Sequence, residues 1–171
     1  MRQLVYIHGA GAKPADAPWS RLGPALGEGW KVTAPDLGEP DVAGWMAGID
    51  AALAGAPSNA VFVAHSLGVS LLIQTIAAKR RGRRASGLIG IAGPFWERED
   101  MADYILPDDF PEALSGIERI VLFHSRDDEE VSVNHLAAWG KRLPRAELHE
   151  LRGANHVLSK GDIGPVVAAI K

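Results

Sequence analysis

The sequence predicts a three-layer α/β/α sandwich around a six-stranded parallel sheet, and two observations carry that expectation. Short apolar, β-rich runs alternate with helical stretches along all 171 residues, the pattern of a parallel sheet covered by helices on both faces. At the centre, the wholly apolar run 60–64 passes within two residues into a helical stretch beginning at Leu67, with Ser66 at the joint. A strand that becomes a helix so abruptly must turn sharply, so the side chain at the turn is pushed out and its neighbours must be small; Ala64 and Gly68 are those neighbours.

Taken in order, residues 4–7 read as a buried strand that breaks into His8-Gly9-Ala10-Gly11-Ala12. Residues 19–26 read as a short helix between prolines and Gly27-Glu28-Gly29, and residues 30–34 as a second strand. Asp41 is placed as the N-cap of a helix to about residue 54. The central strand follows, then a helix over 67–81 that is apolar on most faces and carries Lys79, Arg80 and Arg81 where the helix dipole favours cations. Residues 87–92 are the next strand and 120–123 the one after. Between them, residues 95–116 hold an aromatic pair, an acidic turn of helix and Pro-rich turns, and one or two short helices are expected there. A connection of this length is often a lid or binding loop. Residues 133–143 read as a helix stopped by Pro144, 146–151 as the last strand and 163–170 as a terminal helix.

Composition bounds the rest. A chain of this length with 47% hydrophobic and 23% charged residues is expected to be one domain spanning residues 1–171, able to bury its core without metals or disulfides. No apolar run approaches the roughly 18 residues of a membrane span, and residues 1–3 lead into a strand rather than a signal-peptide core. The expectation is a soluble, cytoplasmic protein. Cysteine is absent, which excludes disulfides, thiolate nucleophiles and cysteine zinc sites. The net charge of −3 argues against nucleic acid as a partner. The basic run 79–84 has no interleaved aromatics and reads as a solvated helix end.

In a parallel sheet, ligands bind at the carboxyl ends of the strands. Ser66 stands at such an end, in G-x-S-x-G with Ala64 in the first glycine position; as a bare pattern it also fits a serine capping a core helix. A serine hydroxyl needs a base, and the base an acid to orient it. After the strand 120–123 comes His124-Ser125-Arg126-Asp127-Asp128-Glu129-Glu130-Val131, and after the last strand Arg152-Gly153-Ala154-Asn155-His156. Serine, acid and histidine thus follow different strands in that chain order. The glycine-rich loop after the first strand completes neither a dinucleotide fingerprint nor a phosphate loop.

With these motifs together the chain resembles the α/β-hydrolase superfamily over nearly its whole length. The shared features are His8-Gly9, Ala64-His65-Ser66-Leu67-Gly68, Ser125 to Val131 in place of G-x-x-D-x-x-V, and Gly153-Ala154-Asn155-His156. Within it the chain looks most like the compact, nearly lidless single-domain serine hydrolases, the branch that includes the retinoblastoma-binding serine hydrolase. The resemblance implies sheet order 2-1-3-4-5-6, with Ser66 as nucleophile, His156 as general base and acid, and Asp128 as its orienting carboxylate. It implies an oxyanion hole from the backbone N–H groups of Ala10 and Leu67, and no metal or organic cofactor.

The implied activity is hydrolysis of small carboxylic esters through an acyl-enzyme. An amidase or peptidase with the same triad, and a non-catalytic binding module on the same fold, are the alternatives. His8, His65, Phe95 and Trp96 are expected at the substrate, with His8 bracing the oxyanion loop and His65 packing beside the nucleophile. His124, His135 and His149 are read as structural or solvated. The short insertion predicts a shallow site for short acyl groups. The partner is a small-molecule ester; the sequence does not fix the oligomeric state.

Overall fold

A computed structural model describes residues 1–97 and 99–171, and the side chains of all of these except 99 and 100. Six strands form one all-parallel sheet in the order β2-β1-β3-β4-β5-β6, comprising β1 Arg2–Ile7, β2 Trp30–Thr33, β3 Val61–His65, β4 Ala85–Ile91, β5 Ile117–Ser125 and β6 Glu147–Leu151. The helices between them are α1 Trp19–Leu26, α2 Val42–Ala54, α3 Leu67–Lys79, α4 Phe110–Ala113, α5 Asn134–Arg142 and α6 Gly164–Ile170, with a 3-10 turn at Glu99–Tyr104. This is the expected fold class and strand order.

Alternation along each strand sends its residues to two separate cores. Val5, Ile7, Phe62 and Ala64 face α2, α3 and α5, whose Ile49, Leu71, Ile76 and Trp139 complete one core. Leu4, Tyr6, Val61 and Val63 face α1 and α6 and meet Leu22, Leu26, Val166 and Ile170 in the other. Buried on both faces, β3 needs apolar residues throughout, which is why its sequence reads as an uninterrupted run.

Pairing aligns the carboxyl ends. Ile7 lies opposite Ala64, His65 opposite Ile91, Ile91 opposite Phe123 and Ser125 opposite Leu151. The residues that follow the strands therefore collect along one edge of the sheet. Asp41 caps α2 as expected, its Oδ2 accepting the Gly44 N–H at 2.9 Å. The helix after Ser66 ends at Lys79, two residues earlier than expected. The basic run beyond it is tied down: Arg80 pairs with Asp50 at 2.6 Å, Arg81 with Asp109 at 3.0 Å, and Arg83 donates to the Ala56 carbonyl.

The connection between β4 and β5 folds down onto the sheet's helices. Phe95, Leu106 and Phe110 are buried in the first core, and Gln74 of α3 donates to the Asp103 carbonyl at 3.0 Å. The expected short helices are the 3-10 turn, which falls in the acidic stretch, and α4; Arg98 of that stretch lies outside the described residues.

Candidate active site

Ser66 has φ 52° and ψ −128°, a conformation that non-glycine residues rarely adopt. Its side chain makes no helix-capping hydrogen bond, so the capping alternative fails on geometry. The strain is held by its surroundings. The Ser66 N–H donates to the Ile91 carbonyl at 2.8 Å, and the Ser66 carbonyl accepts from Val69 at 2.9 Å. A Cβ on Gly68 would stand 2.5 Å from the His8 carbonyl oxygen and 2.9 Å from that of Ile7, which explains the glycine two residues after the serine. A Cβ on Gly9 would meet Ser66 Cβ at 3.0 Å, so the loop after β1 passes directly against the serine.

The Ser66 hydroxyl points to His156. Ser66 Oγ lies 3.0 Å from His156 Nε2, and His156 Nδ1 lies 2.8 Å from Asp128 Oδ2. A carboxylate can only accept, so Nδ1 carries the proton and Nε2 is left to accept from the serine. Burial pushes the Asp128 carboxyl up, but hydrogen bonds from the Val131 N–H, the His156 ring and the Glu130 N–H outweigh it and hold the group below its ordinary value. Asp128 Oδ1 accepts from Glu130 at 2.9 Å and Val131 at 2.8 Å. The carboxylate is thereby kept ionised with one oxygen aimed at His156.

The neighbouring acid has a different task. Asp127 Oδ1 accepts from Ser125 Oγ at 2.5 Å, and that Oγ accepts the Ala154 N–H at 3.2 Å. Asp127 therefore braces the loop that carries His156 without touching the imidazole.

His8 and His65, expected at the substrate, are buried within the framework instead. His8 Nδ1 donates to the Gly9 carbonyl at 2.8 Å while its Nε2 accepts the Leu37 N–H at 3.0 Å, so both ring nitrogens are engaged. His65 Nε2 donates to the His156 carbonyl at 3.0 Å. Burial, followed by the neighbouring His156, pushes the His65 pKa down to about 3 and keeps the ring neutral. His124 Nε2–H donates to the Val131 carbonyl at 2.8 Å, the same nitrogen stands 3.2 Å from Asp128 Oδ2, and burial lowers the His124 pKa. Sequence reasoning left that second contact to Asp128 unseen.

Phe95 is largely buried against Trp139 at 4.8 Å between ring centroids, and its N–H donates to His135 Nδ1 at 2.9 Å. It nonetheless lines a cleft of about 330 Å³ between the loop after β4 and the start of α5. Trp96 is half-buried, with its ring near Tyr104 and His135. A second cleft of about 310 Å³ follows the loop after β1, lined by residues including Lys13, Asp36 and Glu39. Ala10 is exposed in that loop, and Leu67, as the first residue of α3, has an N–H that the helix leaves without an acceptor. Among the described residues, no three or more histidine, aspartate or glutamate side chains are gathered so as to hold a metal ion.

A family model described as serine hydrolase matches residues 4–168. No curated protein matches the sequence. Among solved structures, the chain is similar to the ydeN gene product from B. subtilis (17% identity, 92% of this chain and 89% of that one, TM-score 0.76). It is also similar to Est1E from Butyrivibrio proteoclasticus (16% identity, 99% and 85%, TM-score 0.76) and to the thioesterase domain from the curacin biosynthetic pathway (15%, 99% and 90%, TM-score 0.75). At these identities the likeness is one of fold.

Proposed function

The chain belongs to the serine hydrolase family, and on that premise we propose that it hydrolyses small carboxylic esters through an acyl-enzyme on Ser66. The observation that carries this reading is the unbroken hydrogen-bond line from Ser66 Oγ through His156 to Asp128, starting from a serine in strained backbone geometry. Ser66 Oγ attacks the acyl carbon and passes its proton to His156 Nε2, and Asp128 stabilises the imidazolium through Nδ1–H. The N–H groups of Leu67 and Ala10 receive the oxyanion. His156 then protonates the leaving alkoxide, and a water activated by the same Nε2 releases the acid and restores the serine.

The same reading makes residues 1–171 one catalytic domain in the compact, nearly lidless branch of the superfamily. The short connection between β4 and β5, folded into the core, supports this placement. Phe95 and Trp96 supply the substrate wall, and the substrate is a small molecule with a short acyl group. The absence of cysteine suits a reducing compartment such as the cytoplasm, and among the described residues no helix is long and apolar enough to cross a membrane.

The test is a series of p-nitrophenyl esters of graded chain length, set against the matching p-nitroanilides, with wild type and Ser66→Ala. The reading expects ester turnover that disappears in Ser66→Ala. Turnover of anilides alone would replace it with an amidase, and ester turnover persisting in Ser66→Ala would remove the nucleophile.

A further inference from the structure

We propose that Glu130 selects for esters whose alcohol part carries a positively charged nitrogen. The inference rests on the ester hydrolase reading above and deepens it. His156 Nε2 lies 3.0 Å from Ser66 Oγ and 3.7 Å from Glu130 Oε2. When the acyl–oxygen bond breaks, the departing alkoxide must take its proton from Nε2–H, so its oxygen comes within about 3 Å of that nitrogen. The alcohol therefore leaves past the Glu130 carboxylate.

The position of Glu130 is built into the site. Asp128 holds His156 with one carboxylate oxygen and, with the other, accepts the N–H groups of Glu130 and Val131. One side chain thus fixes both the imidazole and the backbone that presents Glu130 beside it. The Glu130 side chain is 65% exposed, so it is open to an incoming group.

The flanking clefts have the same sign. Among the described residues, the cleft between the loop after β4 and the start of α5 is lined by Glu97 and by no lysine or arginine. The cleft behind the loop after β1 has Asp36 and Glu39 against the single cation Lys13. An ammonium group on the alcohol meets attraction from Glu130, whereas a carboxylate or phosphate meets repulsion. In water-like surroundings, two unit charges about 4 Å apart interact strongly enough to change a rate about 5-fold.

The test compares kcat/KM for three butyrate esters on the same enzyme preparation. These are the 2-(trimethylammonio)ethyl ester, its neutral isostere the 3,3-dimethylbutyl ester, and the anionic 3-carboxypropyl ester. Wild type is expected to prefer the cationic to the neutral ester, and the neutral to the anionic, by about 5-fold each, with both ratios shrinking in 0.5 M salt as screening increases. Glu130→Gln should bring both ratios close to one, and Glu130→Lys should invert them. Because each readout is a ratio on one preparation, a variant's folded fraction cancels. Ratios close to one in wild type, or a cationic preference unchanged in Glu130→Gln, would overturn the proposal while leaving the ester hydrolase reading intact. No turnover of any of the three esters by wild type would overturn both.

Discussion

His65 donates its Nε2–H to the main-chain carbonyl of His156 across 3.0 Å, joining the residue before Ser66 to the residue proposed as the base. The two rings stand 4.9 Å apart. A Cβ on Gly9 would come within 2.9 Å of His65 Nδ1, so the loop after β1 packs on the same ring. His65 is thus shared by the serine, histidine and glycine loops, and that burial carries a consequence for acid stability.

Burial holds the folded-state pKa of His65 at about 3, whereas an unfolded histidine titrates near 6.5. Below about pH 6.5 the unfolded chain takes up a proton that the folded chain refuses, so stability falls as pH is lowered from there toward pH 3. Between pH 7.5 and 4.5 the loss from His65 alone is about 2–3 kcal/mol, at 1.36 kcal/mol per pH unit. His124, lowered by burial, acts in the same direction. Asp128, whose carboxyl is held low, contributes stability that is lost only at more acid pH. Urea unfolding at the two pH values should show a shallower loss in His65→Gln than in wild type; equal losses would contradict a neutral buried His65.

The two adjacent acids should separate in turnover. Asp128→Asn removes the acceptor that fixes the Nδ1–H tautomer of His156 and is expected to lower kcat about 10²-fold or more. Asp127→Asn disturbs the Ser125 brace and the loop at Ala154 and Asn155 without touching the imidazole, and should cost far less. Steady-state kinetics of both variants check the assignment, and the opposite order would exchange their roles.

Acyl-chain preference follows from where the β4–β5 connection goes. With Leu106 and Phe110 committed to the core, little apolar wall is left to the site beyond Phe95 and Trp96. Each added methylene contributes up to about 0.8 kcal/mol only while it finds such a wall. Specificity constants should rise from acetyl to about butyryl esters and then level off or fall. Trp96→Ala should raise KM more than it lowers kcat, because a wall acts alike on substrate and transition state. A rise continuing to dodecanoyl esters would contradict the shallow site.

Much of this architecture is legible in the chain because local constraint writes it there. The elbow demands small residues around Ser66, and a strand buried on both faces demands the run before it. Strand starts are less legible. β5 begins at Ile117, three residues before its apolar run, because Glu118 and Arg119 lie exposed and Arg119 pairs with Glu147 of β6 at 2.7 Å. Contacts across long sequence separations left little local signal: the acceptor of His65 is a carbonyl 91 positions away. Composition marks Phe95 and Phe110 as apolar, but only the folded chain distinguishes a core position from a pocket wall.

The central claim, that Ser66 is a nucleophile activated by His156, is tested most directly by covalent labelling with a fluorophosphonate followed by intact-protein mass spectrometry. An elbow serine beside a base reacts with such a probe, whereas a serine that merely begins a helix does not. Wild type should gain the mass of one adduct, and Ser66→Ala should gain none. An unlabelled wild type, or a label that persists in Ser66→Ala, would contradict the account.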